Sequence, residues 1–484
     1  MRSRRMTSSP IQSHGSLRRN HLSFTDVVAQ AIGVVSPTAT PAIVASLVFA
    51  SAGNGAWLAY VFATVAILFL SLNINVFAKR SASPGALYSF VGQSLGAFWG
   101  SVAGWSLLIA YLFCAGAVLS GAVNYALVLL HLAFGAFDDV IPSLILALGF
   151  VALAWAIAWR SIKLSTRLSL SLEGVTVAAI LAILAVLFIK HGAAVDKPQL
   201  ALEGVTLNSL QLGLVLAFFS FTGFESAAVL GHEAKQPLRV IPRAVIATVL
   251  ALGVFLVATT YGLVAGFQGA ATPLDKSDAP LSFIADSIGL GFLGPVIAVG
   301  VIASFFASVL GCVNASARII YALSRQGVLY TKAGDAHEAH ATPHIAIAIS
   351  ALLVIVLFAP LAALGVKLMD VYGYLGSIST FGFLTAYLLV SIGAPLFLKR
   401  RGELKARHVV LSAVSVVLVG IPFVGVLYPV PDYPLNLLPY VFVGLLWLGA
   451  FYFNFLRHRR PETLARIERE LEASSDLPKA QPAE

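Results

Sequence analysis

Long apolar segments separated by short polar turns run along almost the whole chain. Twelve of these segments reach about 20 residues, the length at which a helix crosses the hydrocarbon core of a bilayer. The pattern predicts an all-α polytopic membrane protein with 12 transmembrane helices, which we number as spans 1 to 12. Span 3 is too long for one crossing, so we expect it to be tilted or to extend beyond the membrane. The spans cover residues 26–50, 56–78, 88–130, 141–160, 168–190, 208–231, 244–267, 292–324, 343–364, 370–398, 408–429 and 437–456.

Polar residues interrupt span 6 near its middle, where Ser220, Thr222, Gly223 and the ionisable Glu225 lie in an otherwise apolar stretch. Irregular backbone at this depth is tolerated only where it lines a protein interior or a polar cavity. An ionisable residue inside a span is costly and usually functional. The segment therefore predicts a broken helix beside a cavity at mid-membrane, where a small solute can bind.

A second interruption lies in span 1, around Ser36-Pro37-Thr38-Ala39. Proline lacks a backbone donor and disfavours helical geometry in the preceding residue, so the helix should stop at Ser36 and restart with Ser36 as its N-cap. The unpaired N–H groups of Thr38 and Ala39, together with the positive end of the restarted helix, would then favour a carboxylate. An ordinary proline kink, packed against neighbouring helices, is the alternative interpretation.

The break in span 6 predicts a surface of the opposite polarity. It leaves the carbonyls of Phe219, Phe221 and Thr222 without helical partners, and carbonyls at the end of a half-helix suit an ammonium group. Core packing is the alternative role for the two phenylalanines. Spans 1 and 6 also stand five helices apart, as the broken helices of inverted-repeat transporters do. One surface for a carboxylate and one for an ammonium group together describe an α-amino acid as substrate.

The composition supports a membrane protein and excludes a soluble one. The chain is 58% hydrophobic and 11% charged, with a mean hydropathy of +0.89, so too few charges are present to cover a soluble core. Cys114 and Cys312 both fall in apolar spans, and we predict that they are unpaired thiols. We expect a basic, disordered tail at residues 1–22, a permease domain at 23–456 and a second tail at 457–484.

The distribution of basic residues predicts the orientation. The formal net charge is +9, yet all but four of the 31 lysines and arginines fall on the side of the two tails. Cytoplasmic loops carry this excess, so both termini should be cytoplasmic in a multi-pass protein of the cytoplasmic membrane. The same face would attract anionic lipid, which accounts for the charge without nucleic acid. The four residues on the opposite side are Lys190, Lys197, Lys276 and Lys367.

The motif that follows the second break resembles one known family. Phe221-Thr222-Gly223-Phe224-Glu225, then Gly231-His232-Glu233 with Pro237, and Ile241-Pro242-Arg243-Ala244 are similar to the span-6 signature of the amino acid–polyamine–organocation (APC) permease superfamily. Weaker matches occur in the same order along the chain. They are Ala78-Lys79-Arg80 with Pro84-Gly85-Ala86-Leu87-Tyr88, Ile162-Lys163-Leu164-Ser165-Thr166-Arg167, and Asn314-Ala315-Ser316-Ala317-Arg318 with Tyr321-Ala322-Leu323.

The resemblance implies a LeuT-like fold of two inverted five-helix repeats, at about residues 23–190 and 208–398, followed by two further helices at 408–456. It also implies discontinuous helices 1 and 6 and transport by alternating access. Phe219 takes the position of an aromatic gate over the substrate, and Thr222 lines its side-chain pocket. The implied substrate-binding residues are Gly33, Ser36, Pro37, Thr38, Phe219, Phe221, Thr222 and Gly223.

The chain departs from the family in two places that concern the carboxylate and the coupling ion. Pro37 replaces a glycine of span 1 and removes one donor. Thr176 aligns with a lysine that some proton-coupled members carry in span 5. Without that cation, a hydroxyl cluster of Thr176 with Ser308 is a candidate sodium site, because a hard cation prefers oxygen ligands. The alternative is that these hydroxyls only bridge helices. Glu225 is the candidate proton carrier, with a structural carboxyl as the alternative.

Three other polar or small features of the spans have structural interpretations. We expect Glu173, near the cytoplasmic start of span 5, to be structural and to pair with Arg167 or a loop arginine. His232 and Glu233 should cap span 6 in the cytoplasmic loop. The series Gly96, Gly100 and Gly104 predicts close helix packing.

The predicted function is secondary active transport of an amino acid, with proton coupling preferred to sodium coupling and with no cofactor or metal. A polyamine or amine permease, an exchanger and a non-transporting membrane sensor remain open alternatives, as do monomer and homodimer. ATP-driven transport and enzymatic activity have little support, because a P-loop motif and Gly-x-Ser-x-Gly are missing, and His337-Glu338-Ala339-His340 misses the metalloprotease spacing.

Overall fold

The computed structural model describes residues 22–81, 87–135, 137–160, 162–191, 195–230, 233–277, 279–337, 340, 342–428, 430 and 433–459. The predicted tails therefore lie almost entirely outside the described residues. So do Pro84-Gly85-Ala86, Gly231, His232, Glu338 and the side chain of Arg167.

Seventeen α-helices form the described part of the chain. The first nine are α1 (Phe24–Val35), α2 (Ala45–Ala52), α3 (Ala56–Ala78), α4 (Leu87–Leu95), α5 (Ala97–Phe134), α6 (Val140–Arg160), α7 (Ile162–His191), α8 (Lys197–Leu200) and α9 (Leu207–Phe219). The others are α10 (Ser226–Val229), α11 (Pro237–Gly266), α12 (Pro280–Ser287), α13 (Gly294–Arg325), α14 (His344–Ala363), α15 (Leu368–Arg400), α16 (Ala406–Leu427) and α17 (Leu438–Arg459).

Ten helical stretches of the described residues are long and apolar enough to cross a membrane. One of them, Phe24–Ala78, contains both span 1 and span 2 of the sequence analysis. Span 6 does not form one long helix, because α9 ends at Phe219 and α10 covers only four residues. The all-helical membrane fold is confirmed, whereas twelve crossings and an inverted repeat stay predictions.

Helix α5 lies at the centre of the bundle. Its most apolar window is entirely buried within the protein, and it packs against α13 and α15. By contrast, only 17% of the corresponding window of α17 is buried, which leaves that helix at the periphery. The elements around α5 are therefore those that can enclose a polar site away from lipid.

The overlong span 3 is divided rather than tilted as one piece. Gly96 has φ +94° and separates α4 from α5. A Cβ on Gly100 would lie 2.8 Å from the Gly92 Cα, and one on Gly104 would lie 2.9 Å from the Tyr88 ring. Close packing is thus confirmed for Gly100 and Gly104, while Gly96 forms the turn between the two helices.

Span 1 breaks at the residues that the sequence predicts. The expectation that Ser36 is the N-cap of the restarted helix is wrong, since Ser36 ends α1 and its Oγ contacts Ser304, while Ala39 stands at the N-cap. Helix α1 ends at Val35, Ser36 adopts the left-handed conformation (φ 50°, ψ 73°), and a π-helical turn over Thr40–Val44 leads into α2. Proline at position 37 prevents the regular hydrogen bond that would continue α1, which is why the chain turns here.

Span 6 breaks at the predicted position as well. Helix α9 ends at Phe219, and turns occupy the six residues from Ser220 to Glu225 before α10 begins. Gly223 has φ +96°, a conformation that other residues rarely adopt. The polar and glycine residues that mark the break in the sequence therefore form it.

Candidate functional site

The two broken segments meet inside the bundle. A Cβ placed on Gly223 would lie 2.3 Å from Val34 Cγ1, so only glycine allows span 6 to approach α1 this closely. One turn later, Ser226 Oγ donates a hydrogen bond to the Gln30 carbonyl at 3.5 Å. The juxtaposition on which the predicted site depends is therefore present.

Polar groups of the α1 break converge on one serine of α13. Ser36 Oγ lies 2.7 Å from Ser304 Oγ, and the Thr38 hydroxyl donates to the same oxygen. Pro37 and Gly33 are buried beside them, Gly33 within α1. Ser304 was not among the residues predicted from sequence, which pointed instead to Ser308, one turn further along α13.

The expectation of unpaired N–H groups at this break is wrong. The Thr38 N–H donates to Glu173 Oε1 at 3.0 Å, and the Ala39 N–H donates to the Ser36 carbonyl at 2.9 Å. Buried backbone donors are rarely left without a partner, and in this structure a carboxylate and a turn hydrogen bond take both.

Glu173 is placed differently from the prediction. Its side chain is 1% exposed, and Ser304 Oγ donates to Oε2 while the Thr38 N–H donates to Oε1. The carboxylate therefore contacts the break of α1 and helix α13, and no arginine side chain among the described residues pairs with it. The side chain of Arg167, the other predicted partner, lies outside those residues. The sequence of span 5 could not reveal these contacts of Glu173, because they depend on how α7 is aligned against α1 in the folded bundle.

Two of the three carbonyls that the sequence singled out at the span 6 break have partners. Phe219 O accepts from the Thr222 N–H at 3.0 Å and from Thr222 Oγ1 at 2.7 Å, and Phe221 O accepts from the Phe224 N–H at 3.2 Å. The expectation that the Phe219 and Phe221 carbonyls lack partners is therefore wrong. These are local turn bonds, which stabilise the non-helical backbone.

Aromatic rings surround the break of span 6. The Phe219 ring packs edge-on against Tyr372 of α15, with 5.7 Å between centroids, and it lies against Gly376. Phe221 is wholly buried in the core. Ser220 Oγ is 3.0 Å from the hydroxyl of Tyr60 on α3. Phe219 is thus the aromatic residue at the junction of α9 and α15.

Glu225 is held by two tyrosines that the sequence did not single out. Tyr111 of α5 donates to Oε1 at 2.6 Å, and Tyr387 of α15 donates to Oε2 at 2.5 Å. Glu225 is 1% exposed, and none of the ion pairs among the described residues includes it. The sequence signal for these partners was the presence of tyrosines in long apolar helices, because a buried tyrosine hydroxyl needs a hydrogen-bond partner.

The predicted hydroxyl cluster of Thr176 with Ser308 is not formed as expected. Thr176 Oγ1 donates to the Gly300 carbonyl at 2.9 Å, whereas Ser308 Oγ donates to the Val34 carbonyl at 2.6 Å. Gly300, which accepts from Thr176, and Ser308 are eight residues apart on α13, about 12 Å along a helix, so the two hydroxyls do not share one site. The hydroxyls that do converge are Ser36, Thr38 and Ser304.

A buried ion pair links the loop after span 6 to the end of α13. Glu233 Oε1 lies 2.9 Å from Arg318 Nε, and the two side chains are 4% and 3% exposed. Leu22 pairs with this loop through backbone hydrogen bonds to Glu233 and Lys235. Glu233 therefore pairs with another helix instead of capping span 6.

Comparisons with known proteins agree with this architecture. The profile of the family described as Amino acid permease matches residues 26–457. The Branched-chain amino acid permease BcaP of Bacillus subtilis (strain 168) is 25% identical over 376 residues, which cover 73% of this chain and 76% of that protein. The Low-affinity putrescine importer PlaP of Escherichia coli (strain K12) is 30% identical over 280 residues, which cover 56% and 59%.

A third relative, the Methylthioribose transporter of Bacillus subtilis (strain 168), is 25% identical over 413 residues, which cover 82% of this chain and 85% of that protein. All three relatives are named as transporters. The predicted resemblance is confirmed, and so is the prediction of a multi-pass membrane permease rather than an enzyme.

Proposed function

This chain belongs to the amino acid permease family, and we propose that it is a secondary active transporter that carries an amino acid across the cytoplasmic membrane by alternating access. The observation that carries the proposal is the meeting of two broken helices at Val34 and Gly223, deep inside a helical bundle. In this proposal the chain crosses the membrane twelve times, in a LeuT-like inverted repeat, with both termini in the cytoplasm. The five-span separation of the two breaks supports that arrangement.

The substrate carboxylate binds at the turn of span 1. Its donors are the hydroxyls of Ser36 and Thr38, in the turn that Gly33 and Pro37 flank. The Thr38 N–H already accommodates one carboxylate, that of Glu173, which supports the anion preference of this turn. That N–H is taken by Glu173, so the hydroxyls are the groups left for the substrate, and a charge-assisted hydrogen bond from a hydroxyl to a carboxylate is stronger than a neutral one.

The substrate ammonium and side chain lie toward span 6. Gly223 brings the backbone of this span close to α1, and the Phe219 ring packs against Tyr372. In this proposal Phe219, Phe221 and Thr222 contact the substrate. An apolar amino acid is the first candidate, since a relative is named for branched-chain amino acids and aromatic rings surround the break. Glu225 binds or tunes the coupling proton, because a carboxyl with two tyrosine donors can exist in either protonation state.

Uptake into proteoliposomes tests this proposal. Purified protein is reconstituted and given radiolabelled leucine, isoleucine, valine, alanine, lysine and putrescine, with an imposed proton gradient, a sodium gradient or neither. We expect concentrative uptake of at least one amino acid under the proton gradient, and its loss on addition of a protonophore. Uptake driven only by sodium would refute proton coupling, and saturable binding without flux would identify a sensor instead of a transporter.

Phe219 provides the variant that connects this activity to the site. Phe219→Ala should raise the KM at least tenfold, because the ring packs at the junction of the break with α15. Phe62, which is 45% exposed on α3, is the matched control, and Phe62→Ala should leave the KM within twofold. An unchanged KM in Phe219→Ala would remove this residue from the binding site.

An amine such as putrescine is the second candidate substrate. The similarity to a putrescine importer favours it, as do two buried carboxylates, Glu173 and Glu225, that are outside the ion pairs of the described residues. Two cationic ends would suit two carboxylates. Concentrative uptake of putrescine, with none of the amino acids, would decide for this alternative.

A further inference from the structure

Glu173 joins three elements at the break of span 1. It projects from α7, its Oε1 accepts the Thr38 N–H at 3.0 Å, and its Oε2 accepts from Ser304 of α13. Ser304 Oγ in turn contacts the hydroxyls of Ser36 and Thr38. The carboxylate is therefore connected by hydrogen bonds to both hydroxyls that the proposed function assigns to the substrate.

No basic side chain neutralises this carboxylate in the part of the chain that the structure describes, where the ion pairs omit Glu173. Helices α1, α6, α11, α12 and α13 pack against α7. Their titratable groups have other partners or are exposed. Asp26, Arg318, Arg325 and Tyr261 have polar partners, which are Ser23, Glu233, Tyr321 and Asp196 in that order, and Cys312 is a buried free thiol beside that of Cys114. The side chains of Arg160, Arg239, Arg243 and Asp286 are exposed, and Lys190 of α7 itself donates to the Ile288 carbonyl.

We propose that Glu173 is a proton-binding group that couples protonation to substrate binding through Ser304. The inference rests on the proposed transport function and adds a second carboxyl to it. Glu173 has no counter-charge among the described residues, and a buried carboxylate of this kind is costly inside a membrane protein and marks proton or substrate pathways. Its connection to the break of α1 distinguishes it from a carboxyl that only joins two helices.

The hydrogen-bond geometry gives the coupling a definite direction. A serine hydroxyl has one hydrogen and two acceptor positions, so Ser304 donates to Glu173 and accepts from both Ser36 and Thr38. The Thr38 N–H can only donate, so an incoming proton binds at Oε2 of Glu173. The protonated carboxyl then donates to Ser304 Oγ and occupies one of its two acceptor positions.

When Glu173 donates to Ser304 instead of accepting from it, one hydroxyl at the break becomes free to donate to the substrate. The Ser304 hydrogen must turn toward Ser36 or Thr38, and the hydroxyl that receives it must donate elsewhere. A substrate carboxylate at the break can accept that hydrogen bond. The proton also removes a like charge next to the substrate carboxylate. Both effects favour substrate binding to the protonated state, and by linkage the bound substrate favours protonation equally.

Glu173 carries one proton for each substrate molecule. The proton enters Glu173 from the compartment to which the site is open, remains on Oε2 while the substrate is bound, and leaves on the opposite side after the substrate dissociates. The Ser304, Ser36 and Thr38 hydroxyls only reorient, and they return to their original donors and acceptors when the proton departs.

Substrate affinity measured against pH tests the proposal. The probe is radiolabelled leucine, or whichever amino acid of the uptake panel is accumulated most, bound to the purified full-length protein between pH 5.5 and pH 8.5. We expect the wild-type affinity to weaken at least tenfold over this range, with proton uptake on binding in weakly buffered solution. Glu173→Gln keeps an acceptor for the Thr38 N–H but cannot titrate, so its affinity should vary less than twofold and no proton should be taken up.

Two further variants separate titration from structure. Glu173→Asp should retain the pH dependence, because it keeps a carboxyl. Asp196→Asn is the matched control: this buried carboxylate caps α8 away from the break, and its loss should leave the pH dependence as in the wild type. If Glu173→Gln shows the wild-type pH dependence, the proposal is wrong; if only Glu225→Gln abolishes it, the coupling proton resides on Glu225.

Ser304→Ala covers the case in which Glu173→Gln does not fold. It keeps the carboxyl and removes the connecting hydroxyl, so we expect the change of affinity with pH to fall at least threefold. An undiminished pH dependence in Ser304→Ala would refute the hydroxyl connection. Failure of the proposed function is a different result, namely that the wild-type protein neither binds nor transports any member of the panel.

Discussion

Replacing Gly223 by alanine should destabilise the protein by about 2–5 kcal/mol. A residue with a Cβ costs about 1–2 kcal/mol in the left-handed region, and Gly223 has φ +96°. The new Cβ would lie 2.3 Å from Val34 Cγ1, and overpacking of a well-packed interior costs about 1–3 kcal/mol. The two costs arise from different causes and add.

A double-mutant cycle separates these two costs. Val34→Ala removes the methyl group that clashes, after which the nearest atom of residue 34 is its Cβ, at 3.2 Å. The variant that combines Gly223→Ala with Val34→Ala should therefore recover the steric part, with a coupling energy of about 1–3 kcal/mol. The backbone part should persist, because the φ angle of residue 223 is unaffected by the change at residue 34.

Thermal unfolding monitored with a thiol-reactive fluorophore provides the assay. Cys114 and Cys312 are both buried, so they react when the protein unfolds. At about 2.1 cal/mol/K per residue, 1 kcal/mol corresponds to about 1 °C in a chain of 484 residues, so Gly223→Ala should melt about 2–5 °C lower. Gly149→Ala is the control, since a Cβ there meets no atom within 4 Å. A melting temperature of Gly223→Ala equal to that of the wild type would refute the reasoning, as would a cycle without coupling.

Two other predictions concern buried charges. Arg318→Ala leaves Glu233 buried without its partner and should lower the free energy of unfolding by about 3–5 kcal/mol. Glu403→Gln breaks an exposed ion pair and should lower it by less than about 1 kcal/mol. Similar melting temperatures for the two variants would contradict this prediction. Tyr387→Phe removes one of the two donors to Glu225 and should lower stability by about 1.5–3 kcal/mol, together with proton-driven uptake. Wild-type uptake and stability in Tyr387→Phe would show that this hydrogen bond is dispensable.

The sequence by itself determined the membrane class, the approximate ends of the long helices and the positions of both breaks. These features follow from local chemistry. Hydropathy decides which segments enter a bilayer, Pro37 ends α1, and Gly223 permits the left-handed turn after α9. Helix α3, predicted and observed over residues 56–78, shows how closely such signals define a regular span.

Only the tertiary structure decided which polar groups meet. Glu173 lies 135 residues from Thr38 in sequence, and Glu225 lies 114 residues from Tyr111. Residues one turn apart on the same helix, such as Ser304 and Ser308, look equivalent in the sequence, yet Ser304 contacts the carboxylate and Ser308 donates to a backbone carbonyl. The rotation and axial register of one helix against another select between them, and those depend on the packing of the whole bundle rather than on any local pattern.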